Sequence, residues 1–198
     1  DSSFFELNCA CPIDFVYNKG MGARLCETPT RVQTLLSAMR SATNKPVAIK
    51  VRTGKMENTI AQNLVPFLYD YGAAMVSIHG RTKNQRYSKD ADWDYIEECV
   101  KVSKIPVIGV GDIYRYADFE KAKEKGVTSV AIARGALVKP WIFKEIKEKK
   151  DYDISSSERI DILRQFAEFG LMHWGSDEKG VNTVREFMCH HLTFMSRY

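Results

Sequence analysis

Five short apolar runs, at residues 4–8, 47–51, 75–79, 107–110 and 129–133, recur along the chain, and helical periodicity follows each of them. Runs of this length fit strands buried on both faces, and apolar residues returning every three or four positions fit helices. Helices are expected at 30–42, 58–71, 92–103, 114–125 and about 139–149. Strands and helices taking turns predict βα units and a parallel sheet, an α/β fold. After Lys150 the pattern changes. Residues 151–158 are polar and turn-prone, Ser155 and Glu158 have the spacing of a capping box, and two helical stretches follow near 158–174 and 179–197 with no further strand. This divides the chain into an α/β part, 1–151, and the start of an α-helical part, 152–198.

The apolar runs end in residues that a hydrophobic core does not need. The first leads to Asn8 and Cys11, the second ends at Lys50 and Arg52, and the third at His79 and Arg81. The fourth ends in Gly109-Val110-Gly111-Asp112 and the fifth in Ala133-Arg134-Gly135. A doubly wound sheet gathers its ligand residues at one switch point, whereas a (β/α)8 TIM barrel takes one or two from the end of nearly every strand. The second pattern describes this chain. Its five strands then correspond to the C-terminal five βα units of a barrel, and the chain is expected to be a fragment with three strands upstream. A start at Asp1, without methionine and directly before a strand, agrees.

Composition narrows the picture only a little. The net charge of +4 over 198 residues is mild and its cations are interleaved with acids, so it permits an acidic partner without announcing one. No apolar run approaches the roughly 20 residues that cross a bilayer, and no signal peptide opens the chain, so a soluble intracellular protein is expected. The five cysteines, Cys9, Cys11, Cys26, Cys99 and Cys189, are scattered and lack a C-x-x-C pair. Free thiols are expected, and neither a disulfide framework nor a metal site.

Lys50 and Arg52, two apart, share one side of a strand. They either pair with carboxylates such as Glu6 or Asp112, or face an anionic or electron-rich ligand. His79 is either a hydrogen-bonded structural histidine or part of a site. The glycine-bearing turns at 109–112 and 133–136 lie where barrels bind phosphate, which points to a phosphorylated cofactor. Cys11 is either an inert packing residue, as expected of the other four cysteines, or a nucleophile or proton donor at a strand terminus.

Together these residues resemble the tRNA dihydrouridine synthase family. The likeness rests on N-x-x-C-P at 8–12, K-V-R-T-G at 50–54, H-G-R-T-x-x-Q-x-Y at 79–87, G-D-I at 111–113 and A-R-G-A at 133–136. Residues 11–14, 91–98 and 154–159 further resemble the eukaryotic branch acting on the tRNA variable loop. Ala10 stands where the family usually has Gly, and Val110 where it commonly has Asn.

The resemblance implies FMN at the barrel mouth, reduced by NADPH, with hydride passing to C6 of a uridine and Cys11 protonating C5. It places Lys50 at the flavin N1 and C2 carbonyl, His79 at the cofactor, and Val110, Gly111, Asp112, Ala133 and Arg134 at its phosphate. Asn8 and Arg52 would orient flavin and uracil, and Arg81 and Tyr87 would meet the substrate. Lys144, Lys147, Arg159, Arg164 and Arg185 of the helical tail would grip RNA phosphates. tRNA is the expected partner, with messenger RNA a further candidate; the protein is expected to act as a monomer in the cytoplasm or nucleus. The alternatives are a barrel flavin oxidoreductase for a small-molecule pyrimidine and an inactive RNA-binding fragment. Without upstream strands, the fragment alone is expected either to bind FMN poorly or not to fold.

Overall fold

The computed structural model describes residues 2–197. The chain forms two compact units, one of residues 1–113 with 117–132 and one of 114–116 with 133–198. The boundary expected near Tyr152 falls inside the second.

The first unit is built on a parallel sheet of β1 (Phe5–Cys9), β2 (Val47–Arg52), β3 (Met75–His79), β4 (Val107–Val110) and β5 (Ser129–Ala131), in that order. A doubly wound sheet reverses its strand order at some point, and this one never does. Sequential parallel strands joined by helical crossovers are the arrangement of a partial TIM barrel. The crossovers carry α1 (Asp14–Asn18), α2 (Pro29–Ala42), α3 (Ile60–Asn63), α4 (Trp93–Val102) and α5 (Tyr116–Glu124).

Alternation along the strands separates two faces. Cys9, Val47, Ile49, Val51, Val76, Ile78 and Val107 pack with Val32 and Leu36 of α2, Ile60, Leu64 and Leu68 after β2, and Ile96 and Cys99 of α4. Leu36, Ile49, Ile60 and Ile78 are fully buried, each worth about 1.5–3 kcal/mol of transfer free energy. The other face carries Glu6, Asn8, Lys50, Arg52, Ser77 and His79. The strands are therefore not apolar on both sides: one face is dry core and the other is lined with polar groups.

The expected helix at 58–71 is broken. Only Ile60–Asn63 is α-helical, and a 3-10 turn, Val65–Phe67, follows. Pro66 lacks the N–H that a continuing helix needs, and its ring would press on the carbonyl of Gln62. Residues that follow Cys11, for which the sequence pattern predicts no element, fold into α1 and a 3-10 segment, Gly22–Glu27. The fifth strand ends two residues earlier than expected, at Ala131.

The second unit holds α6 (Arg134–Val138), α7 (Ile142–Glu148), α8 (Ser156–Trp174) and α9 (Glu178–Arg197). The capping box opens α8 as its spacing predicts, with Ser155 Oγ accepting from the Glu158 N–H and Glu158 Oε2 from the Ser155 N–H. The helices α8 and α9 pack through stacked rings, with Trp174 and Phe187 at 4.9 Å between centroids. Glu145, fully buried, accepts from Lys139 Nζ, Trp141 Nε1 and the Tyr152 N–H, which pins the chain leading into α8. Among the described residues no helix is long and apolar enough to cross a membrane.

Candidate active site

Cys11 lies just past β1, on a loop whose main chain is tied down residue by residue. Asn8 Oδ1 accepts from the Ala10 N–H at 3.0 Å, an Asx-type turn that carries the chain off the strand. Cys26 Sγ donates to the Cys9 carbonyl at 3.2 Å, Arg52 Nε to the Ala10 carbonyl at 2.9 Å, and the Ala23 N–H to the Cys11 carbonyl at 3.0 Å. Three consecutive carbonyls thus have fixed donors, and the half-buried Cys11 thiol is held in place through its backbone. Gly22 closes in from behind. Its φ is 57°, and a Cβ there would lie 2.7 Å from the Cys11 carbonyl oxygen and 3.0 Å from Cys11 Cβ.

The polar sheet face supplies the neighbours. Asn8 registers with Lys50 and Lys50 with Ser77, while one step further along Arg52 registers with His79 and His79 with Val110. The carboxylate pairing considered for Lys50 and Arg52 does not occur. Glu6 Oε2 accepts from Ser77 Oγ at 2.8 Å, and Arg52 gives its second donor to the Thr82 carbonyl at 3.0 Å. Arg52, only 2% exposed, therefore braces two loops from inside the sheet. Among the described residues the Lys50 ammonium has no ion-pair or hydrogen-bond partner.

Arg81 is buried and aimed at the framework. Its Nε donates to the Lys89 carbonyl at 2.6 Å, Nη2 to Asp112 Oδ2 at 2.5 Å, and Nη1 approaches His79 Nε2 at 3.2 Å. A guanidinium only donates, so Nε2 of His79 accepts and the imidazole proton sits on Nδ1. Burial, then the positive charges of Arg52, Arg81 and Lys50, press the His79 pKa down to about 3. It is a neutral hydrogen-bonding group, not a cation, at neutral pH. Tyr87 stands exposed above this pair, its ring 6.3 Å from that of His79 and 5.7 Å from the Arg81 guanidinium carbon.

Gly111 and Asp112 follow β4 in left-handed backbone, φ 140° and 51°. A Cβ on Gly111 would meet the Ala91 methyl at 2.4 Å, and Asp112 Oδ2 also accepts from the Ala91 N–H at 2.8 Å. Ala133 and Arg134 belong to the second unit. There Ala133 caps α6, its carbonyl accepting from the Ala136 N–H at 3.1 Å, and Arg134 lies over the Tyr114 ring at 5.8 Å. The first unit therefore brings together Asn8, Cys11, Lys50, Arg52, His79, Arg81, Tyr87, Val110, Gly111 and Asp112.

Of the other thiols, Cys9, Cys26 and Cys99 are buried, as expected of packing residues, but Cys189 is exposed on α9. Its position on the outer side of an amphipathic helix explains the difference. Sequence reasoning missed Gly22, Ala23 and Cys26 as supports of the Cys11 loop. The closely spaced Gly20 and Gly22 were the only local signal of a tight approach there.

The set suits a flat, carbonyl-bearing ring with an anionic edge. Lys50 offers an uncommitted ammonium and His79 an N–H, while the methyl-tight turn at Gly111 brings main chain close. A family model described as dihydrouridine synthase (Dus) matches residues 1–196. Curated relatives named "tRNA-dihydrouridine(47) synthase [NAD(P)(+)]-like" are 49% identical in Homo sapiens and 47% in Arabidopsis thaliana, each over 98% of the chain. A relative named "tRNA-dihydrouridine(47) synthase [NAD(P)(+)]" in Cryptococcus neoformans is 45% identical, again over 98% of the chain. The chain spans 30% of the human relative's length and 29% of the other two.

Proposed function

The chain belongs to the dihydrouridine synthase family, and from that premise we infer that the complete protein reduces uridine in tRNA to 5,6-dihydrouridine with FMN and NADPH. The observation that carries this reading is the Cys11 loop: a thiol fixed through three carbonyls just past β1, the strand whose Asn8 registers with Lys50, on the sheet that also carries a neutral His79. When bound, FMN supplies the hydride that goes to C6 of uracil.

This chain's residues do the rest. Cys11 Sγ donates the proton that C5 requires, so that the C5=C6 bond gains one hydride and one proton. Lys50, on the polar sheet face, would hold the flavin and offset the negative charge that it gains on reduction. His79 would offer Nδ1–H to the cofactor, and the turn at Val110, Gly111 and Asp112 would hold its phosphate. Asn8 keeps Nδ2 for a ring carbonyl, since Oδ1 serves the loop. Tyr87 offers a face to the base. Arg52 and Arg81 act through the groups they hold. The helical residues from 152 onward, with Arg159, Arg164 and Arg185, belong in this proposal to an RNA-gripping part. Free cysteines suit a reducing compartment, the cytoplasm or nucleus.

Cys11→Ala in the complete protein tests the assignment. Retained flavin absorbance with dihydrouridine formation lost supports it; full activity in that variant rules out Cys11 as the proton donor. Mapping of dihydrouridine along tRNA from cells lacking the gene tests the target, with loss confined to the variable loop expected. The relatives' names, which specify position 47, support that choice.

A further inference from the structure

The loops beyond β1, β2 and β3 carry a group of cations that protonation by Cys11 does not use. Two of them close on one carboxylate. Lys83 Nζ lies 2.5 Å from Asp14 Oδ1, and Arg86 Nη2 lies 3.0 Å from Asp14 Oδ2. Asp14 is three residues past Cys11. Its side chain is 63% exposed, whereas that of Lys83 is only 11% exposed.

The cations are held by backbone, not by Asp14 alone. The Lys83 N–H donates to the Gly54 carbonyl at 2.8 Å and the Asn84 N–H to the Lys55 carbonyl at 3.0 Å, which interlocks the two loops. Gln85 Oε1 accepts from the Thr82 N–H at 2.9 Å. Arg86 is kept at φ 47°, a conformation unfavourable for a residue with a Cβ. The Tyr17 ring gathers Lys83 at 4.8 Å, Arg24 at 5.4 Å and Lys55 at 5.6 Å from its centroid. Arg24 is neutralised by Glu27 at 2.8 Å, but among the described residues Lys55 has no carboxylate partner.

A carboxylate gripped at each oxygen by a different cation offers the charge and acceptors of a phosphodiester, whose two non-bridging oxygens share one negative charge. Lys83 chiefly, and Arg86 with it, holds the Asp14 carboxyl below the usual carboxylate range, so the grip persists at neutral pH. Exposed Phe15, Met56 and Tyr87 surround these loops and give unstacked bases something to lie against.

We propose that Lys83, Arg86 and Lys55 form a phosphate subsite beside Cys11 for the RNA backbone flanking the target uridine, a subsite that Asp14 occupies in the RNA-free protein. This rests on the uridine-reducing function inferred above. RNA then displaces a carboxylate to enter, so Asp14 competes with substrate while Lys83 and Arg86 recruit it.

That opposition in sign is the test. Binding of a tRNA transcript to the complete flavin-loaded protein is measured over a salt series for the parent, Lys83→Gln, Lys83→Arg, Arg86→Gln and Asp14→Asn. Lys83→Gln and Arg86→Gln are expected to weaken binding several-fold, each lowering the slope of log affinity against log salt by about 1. Lys83→Arg should restore most of that slope, and Asp14→Asn should tighten binding. If Asp14→Asn instead weakens binding in step with Lys83→Gln, with melting temperature falling in both, the trio is a structural clip and the subsite is wrong. Unchanged slopes in both cation variants also overturn it. A parent protein without tRNA affinity overturns the uridine-reducing function itself, a result visible before any variant is compared.

Discussion

Arg52 and Ala10, 42 residues apart, are joined by a buried 2.9 Å hydrogen bond from the guanidinium Nε to the carbonyl adjoining Cys11. The same guanidinium reaches the Thr82 carbonyl, so one side chain sets the distance between two loops. Arg52→Lys keeps the charge but cannot serve both carbonyls with a rigid fork. Turnover on tRNA is expected to fall by about 10²-fold, the scale of roughly an ångström's misplacement at a reacting group. Flavin absorbance should persist, which separates this effect from unfolding.

His79 supplies a pH dependence whose sign is fixed. Its proton affinity is ordinary in the unfolded chain, near pKa 6.5, but in the folded protein burial and then neighbouring cations push it down to about 3. Between those values the unfolded state binds the extra proton, so stability falls as pH drops through this window. The slope from this one group approaches about 1.4 kcal/mol per pH unit. Urea unfolding at several pH values should show a shallower dependence for His79→Asn than for the parent between roughly pH 6 and 4.

Gly22→Ala places a methyl against the Cys11 carbonyl and Cβ from a left-handed backbone position. The conformation alone costs about 1–2 kcal/mol for a residue with a Cβ. Both melting temperature and dihydrouridine yield are expected to drop. Gly126→Ala, also at positive φ but facing only Val100 Cγ1 at 3.4 Å, should lower the melting temperature with less effect on yield.

Thiol reactivity should single out two cysteines of the five. Burial raises the Cys26 pKa to about 11 and the Cys99 pKa to about 12, and it raises that of Cys9 as well. Buried thiols that stay protonated react slowly. Iodoacetamide at neutral pH should label Cys189 and Cys11 first, as read by peptide mass spectrometry. Rapid labelling of Cys9 would contradict the packed loop.

Much of this was legible because alternation and charge are local properties. Lys50 and Arg52, two apart, had to share a strand face, and a pair of cations there had to find partners or a ligand. Who those partners are is not local. Arg52 meets Ala10 and Thr82 only once β1, β2 and β3 are side by side, so nothing in the sequence near Arg52 marks it as a brace. Arg81 was expected to face substrate, yet the fold turns its donors to His79, Asp112 and Lys89. Pro66 was visible all along, and the apolar periodicity around it concealed the break that it causes. The segment after Cys11 escaped because five- and six-residue helical turns carry too little periodicity to be seen.

Strand register gives the polar sheet face a second consequence. Sliding β2 by one residue would rotate Lys50 and Arg52 into the packing between sheet and helices, and turn Val51 out among Asn8 and His79. Two uncompensated cations in that interior would cost far more than any mispaired ladder could return. The side chains proposed for catalysis thereby also penalise misassembly. A variant that replaces Lys50 or Arg52 with an apolar residue loses that safeguard together with its chemistry, and its refolding yield should reveal it.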